Sequence, residues 1–298
     1  MSDTSSDRTT VSALPLSKTA SSHFTPGSEA HKQAFCAVLV DTFNPYKPSV
    51  LAWPTLSEDA KSRLVNLPFW DVAVVTEGYA SSRMQAMADT LQDPLIKEAV
   101  ALNAFEEGRH KLVLRNMLNF YDIPLKPETP YRNSQRPQWN FLCTGYGECF
   151  DSFFAFGLFK LAKDSGYFPP ELVDVFEPIV QEEARHIMFF VNWVAYTAAN
   201  KTWFLRIWFH LCCLAALSMA AIDRLSLTKA ADDPKAQTNF VATGGTTLVV
   251  NLTAHKLIEV SLAEDKRRMA SFDQRLLRPT IMPFLGRLAL KFLSLFAP

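Results

Sequence analysis

At 298 residues the chain is long for one four-helix bundle and short for two large domains. Its 30 basic residues balance 30 acidic ones without a basic run, which argues against nucleic acid as a partner. A hydrophobic content of 48%, with 23 phenylalanines, supplies ample material for a core.

Residues 1–27 are rich in Ser and Thr and read as a disordered tail. They lack the apolar centre of a secretory signal. Residues 28–298 are expected to form a single helical domain, with a bundle core at 68–200 and a C-terminal helical extension at 201–298. The five cysteines (Cys36, Cys143, Cys149, Cys212 and Cys213) form neither a C-x-x-C pair nor a disulfide framework. A reducing, cytoplasmic setting fits them.

The first bundle helix is expected to start at Pro68, suited to a first helical turn, and to end near Leu91. Asp93-Pro94 then reads as an N-cap and first helical residue. It opens a second helix with apolar positions Ile96, Val100, Leu102, Ala104 and Leu112, closing near Tyr121. Pro124, Pro127, Pro130 and Pro137 exclude a helix from the next stretch, which is long enough to cross the bundle. A third helix runs from near Trp139 to Lys163, with Gly166 as its stop signal. Pro169-Pro170 restarts the chain into a fourth, reaching about Asn200 and interrupted by Pro178, which is expected to open its hydrogen-bond ladder. Short, long, short connections suit a bundle with one crossover.

Beyond it, 203–222 is apolar apart from Arg206, His210 and Ser218. This segment is expected to pack on the bundle as a fifth helix, because a charge near a membrane centre is costly. Asp232-Asp233-Pro234 marks a loop, and Gly244-Gly245 a break before a helix through Val260, Leu262 and Met269. In 281–296, Arg287 and Lys291 lie four apart amid apolar residues, as in an interfacial helix. Peripheral membrane contact or a homodimer interface is expected there.

Two strings carry the chemistry: Glu106-Glu107-Gly108-Arg109-His110 and Glu182-Glu183-Ala184-Arg185-His186. Each holds Glu-x-x-His, whose members share a helix face one turn apart. Glu77 lies 30 residues before Glu107, and Glu148 lies 35 before Glu183. Either count allows roughly four turns down, a reversal and about three turns back, so the paired carboxylates can meet at one level. Glu77, Glu107, His110, Glu148, Glu183 and His186 therefore read as the donors of a dinuclear carboxylate site. Four carboxylates and two imidazoles suit two Fe(II), or Mn with Fe, better than thiolate-preferring metals.

The neighbours have expectations of their own. Glu106 and Glu182, rotated about 100° from the donors, face a neighbouring helix or solvent. Arg109 and Arg185 pair with these extra carboxylates. Asp151, three residues beyond Glu148, either accepts a hydrogen bond from a donor histidine's outer nitrogen or lies on the helix surface. Tyr79 and Tyr146 flank the donors and could gate electrons, with packing the expectation. Gly78, Gly108, Gly147 and Ala184 adjoin the donors and suggest close helix approach.

From about Pro68 to Asn200 these residues resemble the ferritin-like di-iron carboxylate superfamily. The strings Tyr146-Gly147-Glu148-Cys149-Phe150 and Glu182–His186 are similar to those of bacterial ferritin-like domain proteins. The resemblance implies an all-α, ferritin-like four-helix bundle with one long crossover and additional C-terminal helices. It also implies that the six donors bind two iron ions, with O₂ as co-substrate. The rubredoxin-like cysteine pairs of rubrerythrins are absent. Ile179 stands where arylamine N-oxygenases carry an extra histidine, and storage ferritins lack the apolar C-terminal third. The expected function is an O₂-dependent oxidase or monooxygenase acting on a small or lipophilic substrate; Phe105, Phe150, Phe153, Phe154, Phe189 and Phe190 could line its cavity, with plain core the expectation. The alternatives are ferroxidase or oxidative-stress chemistry without an organic substrate, and a metal-stabilised protein at a membrane. Neither substrate nor electron donor is named by the sequence.

Overall fold

The computed structural model describes residues 23–67, 69–128, 130–131, 135–230 and 253–295, with side chains of 225–230 outside that set. Pro68, Asp232-Asp233-Pro234, Gly244-Gly245 and most of the N-terminal tail therefore lie outside the described residues. Among the described residues every regular element is helical.

Helix α1 (Glu29–Val40) is capped by Ser28, whose side chain accepts from the His31 amide. The short α2 (Glu58–Val65) follows, and then α3 (Trp70–Ala88) and α4 (Pro94–Phe120). Asp93 caps α4, accepting from the amides of Leu95 and Ile96 at 3.0 and 3.1 Å, and Pro94 occupies the first turn, where no amide is missed. The proline-bearing crossover leads into α5 (Pro137–Ser165), which ends at Gly166 with φ +63°, a left-handed conformation that favours glycine.

The expected fourth helix is two: α6 (Pro170–Asp174) and α7 (Glu177–Ala199). The break falls at Val175 and Phe176, so Pro178 sits in the first turn of α7 and interrupts no ladder beside the donors.

Helices α3, α4, α5 and α7 pack in a ring of neighbours, α3 on α4 and α5, and α7 on α4 and α5. Sequence reading left 28–67 unassigned, yet α1 closes the side formed by α4 and α7, burying Phe35, Cys36 and Leu39. Helices α8 (Trp203–Ala230) and α9 (Ala254–Met269) lie against α5, and α10 (Ile281–Leu295) packs on α9 and α5. At Gly157 of α5 an added Cβ would come within 3.0 Å of the Ser261 backbone in α9, so glycine sets that close crossing.

Helix α8 packs on the bundle as expected, but only along one side. It packs through a narrow stripe, Phe209, Cys213, Ala216 and Ala220, spaced three or four apart. Its other faces leave Trp203, Phe204, Trp208, Leu211, Leu214 and Ile222 exposed. Arg206 donates to the carbonyls of Ala198, Ala199 and Lys201, closing the C-terminal end of α7. That charge is therefore used at the helix's first turn, away from its apolar middle. The stretch Trp203–Arg224 is long and apolar enough to cross a membrane, with a mean hydropathy of 1.8. Helix α10 is similar: Met282, Pro283 and Gly286 are buried while Phe284, Leu288 and Phe292 are open.

Candidate metal centre

Each donor comes from a different turn of the ring. Glu77 projects from α3, Glu107 and His110 from α4, Glu148 from α5, and Glu183 and His186 from α7. Ligand atoms of Glu77, Glu107, His110 and Glu183 lie within 4.8 Å of one another, and so do those of Glu107, Glu148 and His186. Glu107 belongs to both groups. The structure thus brings together all six residues chosen from the sequence.

The inner nitrogens are close to carboxylates. His110 Nδ1 is 3.1 Å from Glu183 Oε1 and 3.6 Å from Glu77 Oε2. His186 Nδ1 is 2.7 Å from Glu107 Oε1 and 3.9 Å from Glu183 Oε2. Yet both Nδ1 atoms, Glu107 Oε1 and Glu148 Oε1 are buried without a well-aligned hydrogen bond. Buried polar atoms ordinarily find partners. Lone pairs that converge without donors between them fit a cation.

The outer nitrogens explain the orientation. His110 Nε2 meets Glu182 Oε2 at 2.7 Å, and His186 Nε2 meets Glu106 Oε2 at 2.9 Å. An ionised carboxylate only accepts, so in the neutral imidazole Nε2 carries the proton and Nδ1 keeps its lone pair toward the site. The arrangement is crossed: the first Glu of each string holds the histidine of the other. Arg109 donates to Glu182 at 2.8 Å and to Glu106 at 3.4 Å, while Arg185 donates to Glu106. Their Nη1 groups reach the segment after α1, at the Asn44 and Thr42 carbonyls, and Tyr46 lies 4.0 Å under the Arg109 guanidinium.

Glu106 and Glu182 thus face a neighbouring helix and never solvent, with 1% and 3% exposure, and both arginines pair with them. Their grip on the histidines was missed, although the doubled Glu and the Arg recur in both strings. Asp151 does not take that place. It lies at the edge of the bundle beside α8, where Arg224 donates to both of its oxygens. Ser152 does reach a donor, with Oγ 3.3 Å from Glu183 Oε2. Tyr79 packs edge-on to Tyr131 at 4.8 Å and Tyr146 edge-on to Phe190 at 5.0 Å. Of the three glycines beside donors, Gly108 faces Ser81 of α3, Gly78 makes room for Tyr131 of the crossover and Gly147 for the Arg224 side chain.

Burial and crowding shift the titrations. Burial pushes Glu77 up to about 8, against the nearby His110 ring. Burial and the charges of Glu107 and Glu183 hold Glu148 well above the carboxylate range. Burial opposes charge on His110, but the hydrogen bond to Glu182 and the close carboxylates of Glu183 and Glu77 outweigh it and raise its pKa well above 6.5. His186 is raised likewise, burial being overcome by the charge of Glu107 and by Glu106.

A cavity of about 930 Å³ opens on the donors, with Glu77, Glu107, His110, Glu148 and Glu183 in its wall. None of the six phenylalanines near the donors lines it, and five of them are core, as expected. Phe189 and Phe190 belong to the main core, Phe150, Phe153 and Phe154 pack toward α8 and α10, and Phe105 is exposed. The lining aromatics are Phe69, Trp70, Tyr79, Trp139, Phe159, Phe168 and Phe176.

No family model, curated protein or solved structure matches this chain. The assignment of the centre therefore rests on its donors. The groups offer carboxylate oxygen and imidazole nitrogen with no thiolate, a set suited to divalent first-row metals. Removing the negative charge behind one histidine should weaken that set without emptying it. Glu106→Gln is expected to lower metal affinity by about 10- to 100-fold, as changes behind a ligand usually do. Competition titration against a chelator measures this, and unchanged affinity would confine Glu106 to packing.

Proposed function

We propose that the chain is a ferritin-like di-iron protein that uses O₂ to oxidise a lipophilic organic substrate. The observation that carries this is Glu107, shared by two donor groups, beside a large and mainly apolar cavity. The order Glu, Glu-x-x-His, Glu, Glu-x-x-His on α3, α4, α5 and α7, with the long connection in the middle, supports the ferritin-like topology. Iron suits the donor set and, when bound, would supply the redox chemistry with O₂.

The chain's own contribution is geometric and electrostatic. Glu106 and Glu182 fix both imidazoles with Nδ1 inward, and Arg109 and Arg185 balance the charge behind them. Glu77, Glu148 and Glu183 lie where the cavity meets the donors, so a substrate there is adjacent to the site. Apolar walls exclude water and hold the substrate in place. A chamber of this volume favours an organic substrate over iron handling alone, which needs only an ion path.

Anaerobic loading with Fe(II), followed by O₂ and stopped-flow optical spectroscopy, tests the reading. Rapid O₂-dependent absorbance changes that depend on the six donors are expected. A protein that takes up no iron, or whose ferrous form is inert toward O₂, would end it.

We place the open faces of α8 and α10 against a bilayer surface, because they expose long rows of large apolar side chains. The protein should float with anionic liposomes, and Leu211→Glu with Leu214→Glu should abolish flotation while leaving the circular dichroism spectrum unchanged. A wild-type protein that stays with the soluble fraction would turn these faces toward another protein copy.

A further inference from the structure

The cavity has two unlike ends with the donors between them. On α3 its wall runs from Trp70 past Glu77 to Arg83, roughly 20 Å along the axis at 1.5 Å per residue. On α5 it runs from Asn140 past Glu148 to Ala162, roughly 33 Å by the same rise. The end near Trp70 is formed by Leu114, Met117, Phe159, Phe168 and Leu172, all in one apolar cluster under α2 and α6. The end near Arg83 carries the polar side chains of Asn140, Thr144 and Asp223 beside Trp139 and Cys143.

The two arginines at the polar end differ. Arg224 is neutralised by Asp151. Arg83 meets the Thr144 hydroxyl at 3.4 Å and the Tyr79 ring at 5.4 Å, and forms no ion pair with a described carboxylate. A guanidinium on a cavity wall that no carboxylate holds in an ion pair among the described residues is suited to an anionic group supplied by a ligand, which it can hold through two parallel hydrogen bonds. Helix α8 lends Met219 and Ala220 to the wall while exposing its other faces, so the polar end lies beside the most apolar surface of the molecule.

We infer that the cavity binds a single-chain amphiphile with a carboxylate head, the head at Arg83 and the chain running past the donors into the apolar end. The volume of about 930 Å³ is near the top of the range for small-molecule pockets, and its extent along the helices suits a chain better than a compact ring. This deepens the proposed function by naming its substrate class, but the binding itself needs no metal.

The test is calorimetric binding to the full chain without metal, using palmitate, hexadecanol, decanoate and benzoate below their aggregation limits. Palmitate should bind in about a 1:1 ratio, tighter than hexadecanol and far tighter than benzoate. Arg83→Gln should weaken palmitate about tenfold or more, the scale of one charge-assisted hydrogen bond, and leave hexadecanol little changed. Ala162→Phe, which fills the apolar end, should weaken palmitate while decanoate still binds, and retained decanoate shows that the variant is folded. Benzoate binding tighter than palmitate, or palmitate indifferent to both substitutions, would overturn the inference. Metal uptake is measured in parallel. Palmitate binding without metal uptake would sink the di-iron reading alone, and metal uptake without palmitate binding would sink the amphiphile alone.

Discussion

Glu107→Ala is expected to cost one of about two ions per chain and to weaken the other, while Glu77→Ala or Glu148→Ala weakens one group alone. The difference follows from how the donors are shared. Glu107 supplies oxygen to both groups, whereas Glu77 and Glu148 each belong to one. Truncating Glu107 leaves the second group with only Glu148 and His186, too few donors to hold an ion firmly. It also leaves His186 Nδ1 without its nearest carboxylate, at 2.7 Å. Elemental analysis after anaerobic loading, with unbound metal removed, reads the stoichiometry directly. Equal losses in all three variants would show that the ions bind only as a pair, and no loss with Glu107→Ala would remove it from the centre.

The six donors were legible because their chemistry is local and repeated. Glu-x-x-His places two donors on one face whatever else the helix does, and the two lone glutamates follow from bundle spacing. Capping was equally legible: Asp93, Pro94 and Gly166 act through their own backbone and stand where expected. What the sequence concealed depends on which helix meets which. Asp151 satisfies the spacing rule for reaching a histidine, but α8 brings Arg224 against it, a contact 73 residues away in sequence. Glu106 and Glu182 looked peripheral at 100° from the donors, and only the pairing of α4 with α7 turns each toward the other string's histidine. The lining of the cavity depends on the same pairing. Phenylalanines near the donors in sequence point to other faces, and the apolar end is closed by Leu64, Phe168 and Leu172 from around α2 and α6. The expected packing of 203–222 holds for one stripe on α5, while Arg206, which weighs against a bilayer in the sequence, spends its charge on the last carbonyls of α7.

Metal uptake should release protons, and the stabilisation conferred by metal should grow as pH rises from about 6 to 8. The shifts of the donors give the sign. Glu77 has an ordinary value of 4.5 and is raised to about 8 in the fold by burial. Between those values the folded chain binds more protons than the unfolded one, so without metal its stability falls as pH rises through that window. Glu148, raised by burial and by Glu107 and Glu183, acts in the same direction. His110 and His186 are raised above 6.5 despite burial, by the carboxylates around them. Their contribution is fully present below 6.5 and is lost as pH rises through their folded values. Glu183 is opposite: burial is overcome by His110 and His186, its value is lowered, and its contribution is lost only as pH falls below 4.5. Every shift active above pH 6 therefore weakens the metal-free fold at higher pH. A divalent cation reverses this, because it binds carboxylate and neutral imidazole and displaces the protons they hold. Thermal melts with and without metal at pH 6, 7 and 8, together with an indicator titration in weak buffer, measure both effects. Glu148→Gln should release fewer protons on loading and should melt higher than wild type at pH 8 without metal, since it removes a crowded carboxylate whose Oε1 has no partner. Uptake that leaves the indicator unchanged, or a melting difference that is flat with pH, would mean that the donors are already deprotonated in the fold.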